Sequence, residues 1–371
     1  MATPKKVMAK KSKKVTQKKS KTKKTTTKKT TTNKVSKKKV ATKKVTAKKA
    51  TTKKIARLKV AKSKKISTQK VSSKNNVQIE NQLFDSLLEL IRKTSAELPD
   101  DVQKVILEAL HREEKNTTAE YAMNIIKANI DLAKKKSQPL CQDTGTVLFF
   151  VEHPQNFDQL AFTKIIHRAV IEATKKGYLR QNSVDSLTGE NAGLNIGPGH
   201  PSIHFHQSHS NSFSVKLMLK GGGCENVGAQ YSLPHTPLEA GRDLSGVRKV
   251  ILDAVLKAQG KGCGPGVLGV TIGGDRGAGY MDSKEQLLRY LDDKNPNKEL
   301  AQLEEEIVET ANKLGIGPMG FGGKTTLLGC KIGHLNRLPA SFFVSISYMC
   351  WAYRRQGVKL GHAGKITKWL Y

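Results

Sequence analysis

The chain has 371 residues, with 65 Lys and Arg against 31 Asp and Glu, and a formal net charge of +34. Residues 1–75 hold 30 of the basic residues and no acidic one, whereas the rest is nearly balanced, with 35 basic and 31 acidic residues. Its apolar runs are too short for a membrane span, and five cysteines without a secretory signal argue against a disulfide scaffold and for a reducing cytoplasm.

The basic segment, residues 1–75, consists mainly of Lys, Thr, Ser, Ala and Val and contains no aromatic residue. Such a segment buries too little apolar surface to offset chain entropy, so we predict that it is disordered. It is either an appendage for solubility or localisation, or a non-specific contact for nucleic acid and other polyanions. Because it has no aromatic side chains for base stacking, sequence-specific recognition is not expected.

Residues 76–371 are expected to form one domain, which opens with helices. Apolar residues recur at three- and four-residue spacing before Pro99, the pattern of one helix face. The predicted helices are Glu80–Glu97, a second capped by Asp100 or Asp101 and running to Arg112, and a third with a capping box at Thr117 and Glu120 that reaches Lys135.

Strands and helices are mixed in the remainder. Strands are predicted at residues 147–151, 202–206, 213–219, 267–272, 325–332 and 341–348. Helices are predicted at residues 158–176, 245–259 with Ser245 as cap, 283–292 and 298–314. Mixed helices with mainly antiparallel strands predict an α+β domain.

Two glycine-rich stretches resemble nucleotide-binding motifs without their context. Gly264-x-Gly266-x-x-Gly269 leads into a predicted strand, whereas the dinucleotide fingerprint opens a helix after one. In the stretch from Gly317 to Thr325, five residues separate the first glycine from Gly323-Lys324-Thr325, where a P-loop has four. A nucleotide site is therefore not expected.

Three distant segments each place one cysteine among glycines, small residues or polar groups. They are Cys141-Gln-Asp-Thr-Gly145, Gly262-Cys263-Gly-Pro-Gly266 and Tyr348-Met-Cys350-Trp351. Three thiolates of this kind can hold an iron–sulfur cluster whose fourth iron has no protein ligand and is free to act as a Lewis acid.

Other interpretations of the cysteines remain open from the residues alone. Cys330 lies in an apolar run and is typical of a core residue, Cys224 is ambiguous, and Cys350 by itself also resembles a core residue. A zinc site would need paired ligands, but the chain has no CxxC pair, and the histidines at 204, 206 and 209 lie on a polar strand and loop.

Six sequence motifs follow one another over most of residues 76–371. They are Cys141-Gln-Asp-Thr-Gly, Leu179-Arg180-x-Asn182, Lys220-Gly-Gly-Gly-x-Glu-Asn226, Gly262-Cys263-x-Pro265 before Gly273-Gly274, Phe321-Gly-Gly-Lys324, and Leu338-Pro-Ala-Ser before Cys350. From about Leu83 to Arg355, the chain thus resembles the α subunit, or N-terminal domain, of the iron–sulfur class I fumarases and L-tartrate dehydratases.

The resemblance implies that Cys141, Cys263 and Cys350 bind a [4Fe–4S] cluster with one open iron, which takes the carboxylate and hydroxyl of a small dicarboxylate substrate. The groups suited to hold its carboxylate oxygens are Gln142, Arg180 and the amides of Gly221, Gly222 and Gly223.

Asp143, next to a cluster ligand, is the candidate acid/base, since a proton must leave or join the carbon beside a carboxylate. A turn cap is its alternative role, a surface ion pair is that of Arg180, and Lys324 either supports the site or ends a turn.

Two features depart from the family pattern. Family members often carry a His about twelve residues before the third cysteine, where this chain has Leu338, with His334 four residues earlier. Single-chain relatives continue beyond the point corresponding to Tyr371 into a second domain, so a separate β subunit is expected and the chain alone is expected to be inactive.

The sequence therefore predicts the α subunit of a cytoplasmic hydro-lyase that interconverts fumarate and malate, with tartrate dehydration as the alternative and dimerisation of the αβ unit as a further expectation. A hypothesis of a different class is a nucleic-acid-associated protein with a polycationic tail and a vestigial enzyme body.

Overall fold

The structure, a computed structural model, describes residues 77–371, so the predictions for residues 1–75 lie outside the described residues. The helices are α1 (77–96), α2 (Asp100–Arg112), α3 (Thr118–Lys136), α4 (Gln159–Lys175), α5 (Gly222–Asn226), α6 (Leu244–Ala258), α7 (Arg276–Gln286) and α8 (Lys298–Lys313). Among the described residues, no helix combines the length and apolar character that crossing a bilayer requires.

The strands are β1 (Thr146–His153), β2 (Ser202–Gln207), β3 (Ser214–Lys220), β4 (Ala229–Ser232), β5 (Gly266–Gly273), β6 (Leu327–Leu335), β7 (Phe343–Met349), β8 (Arg355–Leu360) and β9 (Ile366–Trp369). One sheet has the order β2-β1-β3-β8-β9 and the other β4-β7-β5-β6. Only the β1–β2 and β5–β6 pairings are parallel within these two sheets. The predicted α+β class with mainly antiparallel strands is confirmed.

Strand β1 lies between two hydrophobic cores. Val147, Phe149 and Val151 pack with α1 and α4 on one face of the five-stranded sheet. Leu148 and Phe150 face the second core, which α2, α3 and the four-stranded sheet share. Since both faces are covered, β1 is apolar along its length instead of alternating with polar residues.

The helix starts correct three of the predictions. Pro99 occupies the N-cap of α2, so Asp100 and Asp101 lie in the first turn, where their charge favours the positive end of the helix dipole. Asp243, not Ser245, caps α6, and its carboxylate accepts a hydrogen bond from the Gly246 amide at 2.7 Å.

The helix predicted at residues 283–292 begins earlier, as α7, because the carboxylate of Asp275 caps the amides of Gly277 and Ala278 at 2.7 and 3.0 Å. By contrast, the Thr117 cap is confirmed, since its hydroxyl accepts from the Glu120 amide at 3.2 Å.

Candidate active site

Antiparallel pairing in the five-stranded sheet joins the first and third of the six motifs. Thr146 at the start of β1 pairs with Lys220 at the end of β3. Residues 141–145, which precede β1, therefore lie beside residues 221–226, which follow β3. The approach is close, because a Cβ on Gly145 would lie 2.4 Å from the carbonyl oxygen of Lys220.

The four-stranded sheet joins the other two cysteine segments in the same way. Val267 near the start of β5 pairs with Met349 at the end of β7, so Cys263 and Cys350 lie just beyond the same end of these two strands. The Trp351 amide donates to the Cys263 carbonyl at 3.3 Å. Cys263 holds a φ of +56°, a left-handed conformation that costs a residue with a side chain about 1–2 kcal/mol and that clusters at functional sites.

The strand ends of the two sheets meet at Cys224, in α5. Its sulfur lies 4.0 Å from the carbonyl oxygen of Gly262. Burial raises the pKa of Cys263, and the charges of Cys224, Cys141 and Asp143 raise it further. A hydrogen bond between the Cys224 and Cys350 thiols lowers the pKa of Cys224 and raises that of Cys350. The structure thus gathers four cysteines, and Cys224, left ambiguous by the sequence, is one of them.

Cys330 is the fifth cysteine and lies elsewhere, midway along β6 opposite Leu268. Burial raises the pKa of its thiol, and the charged groups that influence it are Glu304, Lys331 and Arg289. Its predicted role as a core residue agrees with this position.

The Asp143 carboxylate connects three of the motifs. One oxygen accepts from the Gly145 amide at 2.8 Å and from the Asn182 side-chain amide at 2.9 Å. The other accepts from the Gly222 amide at 2.7 Å. Asp143 therefore does cap its own turn, and it also engages one of the three amides that the sequence assigned to substrate, leaving those of Gly221 and Gly223.

Arg180 is fixed by its backbone while its side chain is exposed. The Thr144 hydroxyl accepts from the Arg180 amide and donates to the Arg180 carbonyl, both at 2.8 Å. The Arg180 guanidinium makes no ion pair with any residue from 77 to 371, so the surface ion pair proposed as its alternative is not found there. Gln142 is exposed as well.

A pocket of about 290 Å³ opens beside Asp143, and Asn182, Gly222 and His200 contribute to its walls. Burial lowers the pKa of His200, and its Nε2 atom has no hydrogen-bond partner in the described part of the chain. Sequence reasoning missed His200, since it precedes a proline in a loop and belongs to no recognised motif.

Two lysines, Lys220 buried and Lys284 partly buried, share one carboxylate next to the cysteines. Lys220 is fully buried, and its Nζ lies 2.5 Å from one oxygen of Glu225, whose other oxygen contacts Lys284. Burial would raise the pKa of Glu225, but the two lysines lower it below its usual range. Lys284 lies on α7, about sixty positions from its partner, so the sequence carried no signal for this contact.

His334 and Leu338 lie far from the cysteines. Leu335 pairs with Gly273, whereas Cys263 precedes the opposite end of β5, at Gly266. Seven strand steps separate these ends by about 23 Å. Within one copy of the chain, His334 therefore does not lie beside this group of cysteines. Lys324 lies at the surface, where its amine pairs with Glu114 at 3.1 Å.

Cysteine thiolates from separate segments are the kind of donor that an iron–sulfur cluster takes. No three His, Cys, Asp or Glu side chains among residues 77–371 converge on one metal position. A cubane needs instead one thiolate for each of several irons, from separate segments. A buried cation fits the same anionic group: Arg354 is 1% exposed, and its Nε and Nη1 atoms lack hydrogen-bond partners within the described chain.

Known proteins resemble this chain over the same region. The family model described as fumarate hydratase (Fumerase) matches residues 84–359. A Geobacillus stearothermophilus protein with the provisional name fumarate hydratase class I is 54% identical over 295 residues, which is 78% of this chain and 57% of that protein.

Two relatives are named as tartrate dehydratases. The L(+)-tartrate dehydratase subunit alpha of Escherichia coli K12 is 31% identical over 291 residues, 78% of this chain and 94% of that protein. A Methanocaldococcus jannaschii protein, provisionally given the same name, is 34% identical over 282 residues, 74% of this chain and 96% of that protein.

The chain thus spans little more than half of the Geobacillus relative and nearly all of the two alpha subunits. The matched region contains every motif that the strand pairings bring together. The chain belongs to the fumarate hydratase (Fumerase) family.

Proposed function

We propose that this chain is the α-type part of a hydro-lyase that interconverts fumarate and malate, with a [4Fe–4S] cluster bound by Cys141, Cys263 and Cys350. The observation that carries the proposal is the antiparallel pairing of β1 with β3 and of β5 with β7. These pairings support a common location for Asp143 and the three cysteines, whose charges act on one another. When bound, the cluster supplies a Lewis acid at an iron without a protein ligand.

Three groups of this chain are suited to orient a dicarboxylate. The exposed Arg180 guanidinium offers a planar fork to one carboxylate, and Gln142 adds an amide donor. The Gly221 and Gly223 amides permit close backbone approach, since neither residue has a side chain. Exposed binding groups of this kind suit a site that a second polypeptide covers.

Asp143 is suited to move the proton. Removal of water from malate takes a proton from the carbon beside one carboxylate and hydroxide from the neighbouring carbon. The hydrogen bonds from Gly145, Asn182 and Gly222 hold the carboxylate in one orientation at the wall of the pocket. A fixed carboxylate of this kind accepts that proton in dehydration and returns it in hydration.

Tartrate dehydration is the second candidate. It is favoured by the coverage, because the chain matches 94% and 96% of two proteins named tartrate dehydratase subunit alpha. The identity of 54% with the fumarate hydratase relative favours fumarate. We therefore place fumarate and malate first.

The names of the two alpha subunits support a β-type partner, and we propose an αβ unit, capable of dimerising, in the cytoplasm. Closure of the site by that partner would exclude water from the reacting groups. Contact of residues 1–75 with nucleic acid or another polyanion stays a prediction from their charge.

The test is anaerobic production of the chain with and without a β-type subunit, followed by iron and sulfide analysis, visible absorption and initial rates on fumarate, malate and L-tartrate. We expect a brown protein whose hydration of fumarate requires the partner. Faster turnover of tartrate would transfer the proposal to the second candidate. A colourless protein that binds DNA in a salt-sensitive manner would instead support the nucleic-acid hypothesis.

A further inference from the structure

Arg354 is a buried cation without a carboxylate partner among residues 77–371. Its side chain is 1% exposed, and no carboxylate among residues 77–371 lies within ion-pair distance of it. Its Nε and Nη1 atoms have no hydrogen-bond partner in that part of the chain. Burying an unpaired charge is costly, because the charge loses its hydration and gains nothing in exchange.

The neighbouring Arg355 provides a comparison within the same chain. It is equally buried, but its guanidinium pairs with Asp101 at 2.6 Å and donates to the Arg289 carbonyl at 3.0 Å. The rings of Tyr353 and Tyr371 lie within 4.7 and 4.3 Å of it. Arg355 thus has a carboxylate partner and two aromatic rings, although its Nε atom makes no hydrogen bond, whereas Arg354 has no carboxylate partner among residues 77–371.

Arg354 lies beside the cysteines. It follows Cys350 by four residues, and its carbonyl accepts a hydrogen bond from the Leu219 amide at 3.0 Å, next to the glycine motif that ends β3. Its positive charge reaches the thiols of both Cys224 and Cys350. The thiols of Cys224 and Cys350 are therefore potential anions near this charge.

The other buried cation next to the cysteines, Lys220, already has a carboxylate partner. Lys220 is neutralised by Glu225 at 2.5 Å, and Glu225 is shared with Lys284. The Lys220 charge also acts on Cys224, but Arg354 is the buried cation beside the cysteines that has no carboxylate of its own among residues 77–371.

We propose that Arg354 is the counter-charge of the iron–sulfur cluster and that its unpaired N–H groups donate to sulfur atoms of the cluster or its thiolates. This rests on the proposed function, since it requires a cluster at Cys141, Cys263 and Cys350. A nearby positive charge and N–H donors stabilise the more negative, reduced cluster, so Arg354 raises the reduction potential and slows the loss of the cluster. It is a positioning residue, not a catalytic one.

The test compares Arg354→Met, Arg354→Lys and, as a matched control, Arg355→Met. Three quantities are measured: the reduction potential, by a titration followed with electron paramagnetic resonance; the half-life of the cluster in the presence of an iron chelator; and the thermal unfolding midpoint with and without cluster. Arg354→Met should give a more negative potential and a severalfold shorter half-life, with Arg354→Lys between it and the wild type.

Thermal unfolding separates this role from a structural one. Without cluster, Arg354→Met should unfold at the wild-type temperature or higher, because it removes an unpaired buried charge. With the cluster bound, Arg354→Met should unfold at a lower temperature than the wild type with its cluster. Arg355→Met should lower the unfolding midpoint in both states, because it leaves Asp101 buried and unpaired.

Each other outcome has one meaning. A wild-type chain that binds no cluster would overturn the proposed function together with this inference. A normal cluster in Arg354→Met, with the wild-type potential and half-life, would overturn the inference alone. Failure of Arg354→Met to fold without cluster would assign Arg354 a structural role and would also overturn it.

Discussion

Asp143 illustrates how one side chain serves both the fold and the proposed chemistry. Its carboxylate accepts three hydrogen bonds, from the Gly145, Asn182 and Gly222 amide groups. The turn-cap role, which the sequence offered as an alternative to acid/base chemistry, is therefore part of how the carboxylate is held. Orientation by several donors is what a proton-transfer group at a pocket wall requires.

Asp143→Asn should lower turnover by about 100- to 10,000-fold, the usual contribution of a positioned acid/base group. Asn182→Ala, which removes a single donor to the same carboxylate, is the control and should lower it much less. Initial rates of fumarate hydration, measured on protein of equal cluster content, provide the comparison. Equal rates for Asp143→Asn and the wild type would exclude the proposed proton transfer.

Cys263→Ser should abolish the visible absorption and the bound iron, because it removes one proposed cluster ligand. Cys330→Ser should retain both, since Cys330 lies midway along β6 in the core. Its effect should be a loss of about 1–3 kcal/mol of unfolding free energy for a buried hydroxyl. Iron analysis and denaturant unfolding measure the two effects, and equal loss of iron in both variants would contradict the ligand assignment.

At the scale of elements, the secondary-structure predictions succeeded where the hydrophobic pattern of a segment is strong. They failed where a segment becomes a strand only by pairing with another strand. The buried strand at β1 and the capped helix α3 follow from their own residues. Strands β8 and β9 were missed, because β8 begins with the buried polar residues Arg355 and Gln356 and β9 has four residues. Strand β8 pairs with β3, and β9 pairs with β8. The local sequence of β8 and β9 does not indicate these pairings.

Gly145→Ala tests the close approach of β1 and β3. Gly145 and Gly177 share a φ of +74°, so alanine at either position should cost about 1–2 kcal/mol of unfolding free energy. At Gly145 the new Cβ would also meet Lys220 at 2.4 Å, whereas nothing lies within 4 Å at Gly177. We therefore expect Gly145→Ala to cost a further ~1–3 kcal/mol in denaturant unfolding. Equal costs at the two positions would contradict the described pairing.

For the whole molecule, the proposed chemistry and the excess charge lie in different parts of the chain. The gathered cysteines, Asp143 and the pocket all fall between residues 141 and 350, within the region that the family model matches. The excess charge lies in residues 1–75, which carry 30 basic residues and no acidic one. We therefore expect the two parts to be separable in function.

Deletion of residues 1–75 should leave cluster content and turnover within about twofold of the full chain, because no site residue is removed. The same deletion should abolish salt-sensitive retention on DNA, if the full chain shows any, since retention would depend on counterion release by these lysines. Iron analysis, fumarate hydration and binding at increasing salt are the measurements. A marked loss of iron or turnover would show that the basic segment is more than an appendage.

The sequence by itself determined the family, the α+β class, the main helices and the cysteines and polar residues of the candidate site, because these depend on local patterns and ordered motifs. Only the tertiary structure decided that Cys224 joins that site, that His334 lies at the opposite sheet end, and that Arg354 has no carboxylate partner within the described part of the chain. The reason is physical: each of these facts depends on contacts between chain segments distant in sequence, which are fixed by strand pairing and packing and leave no signal in local composition.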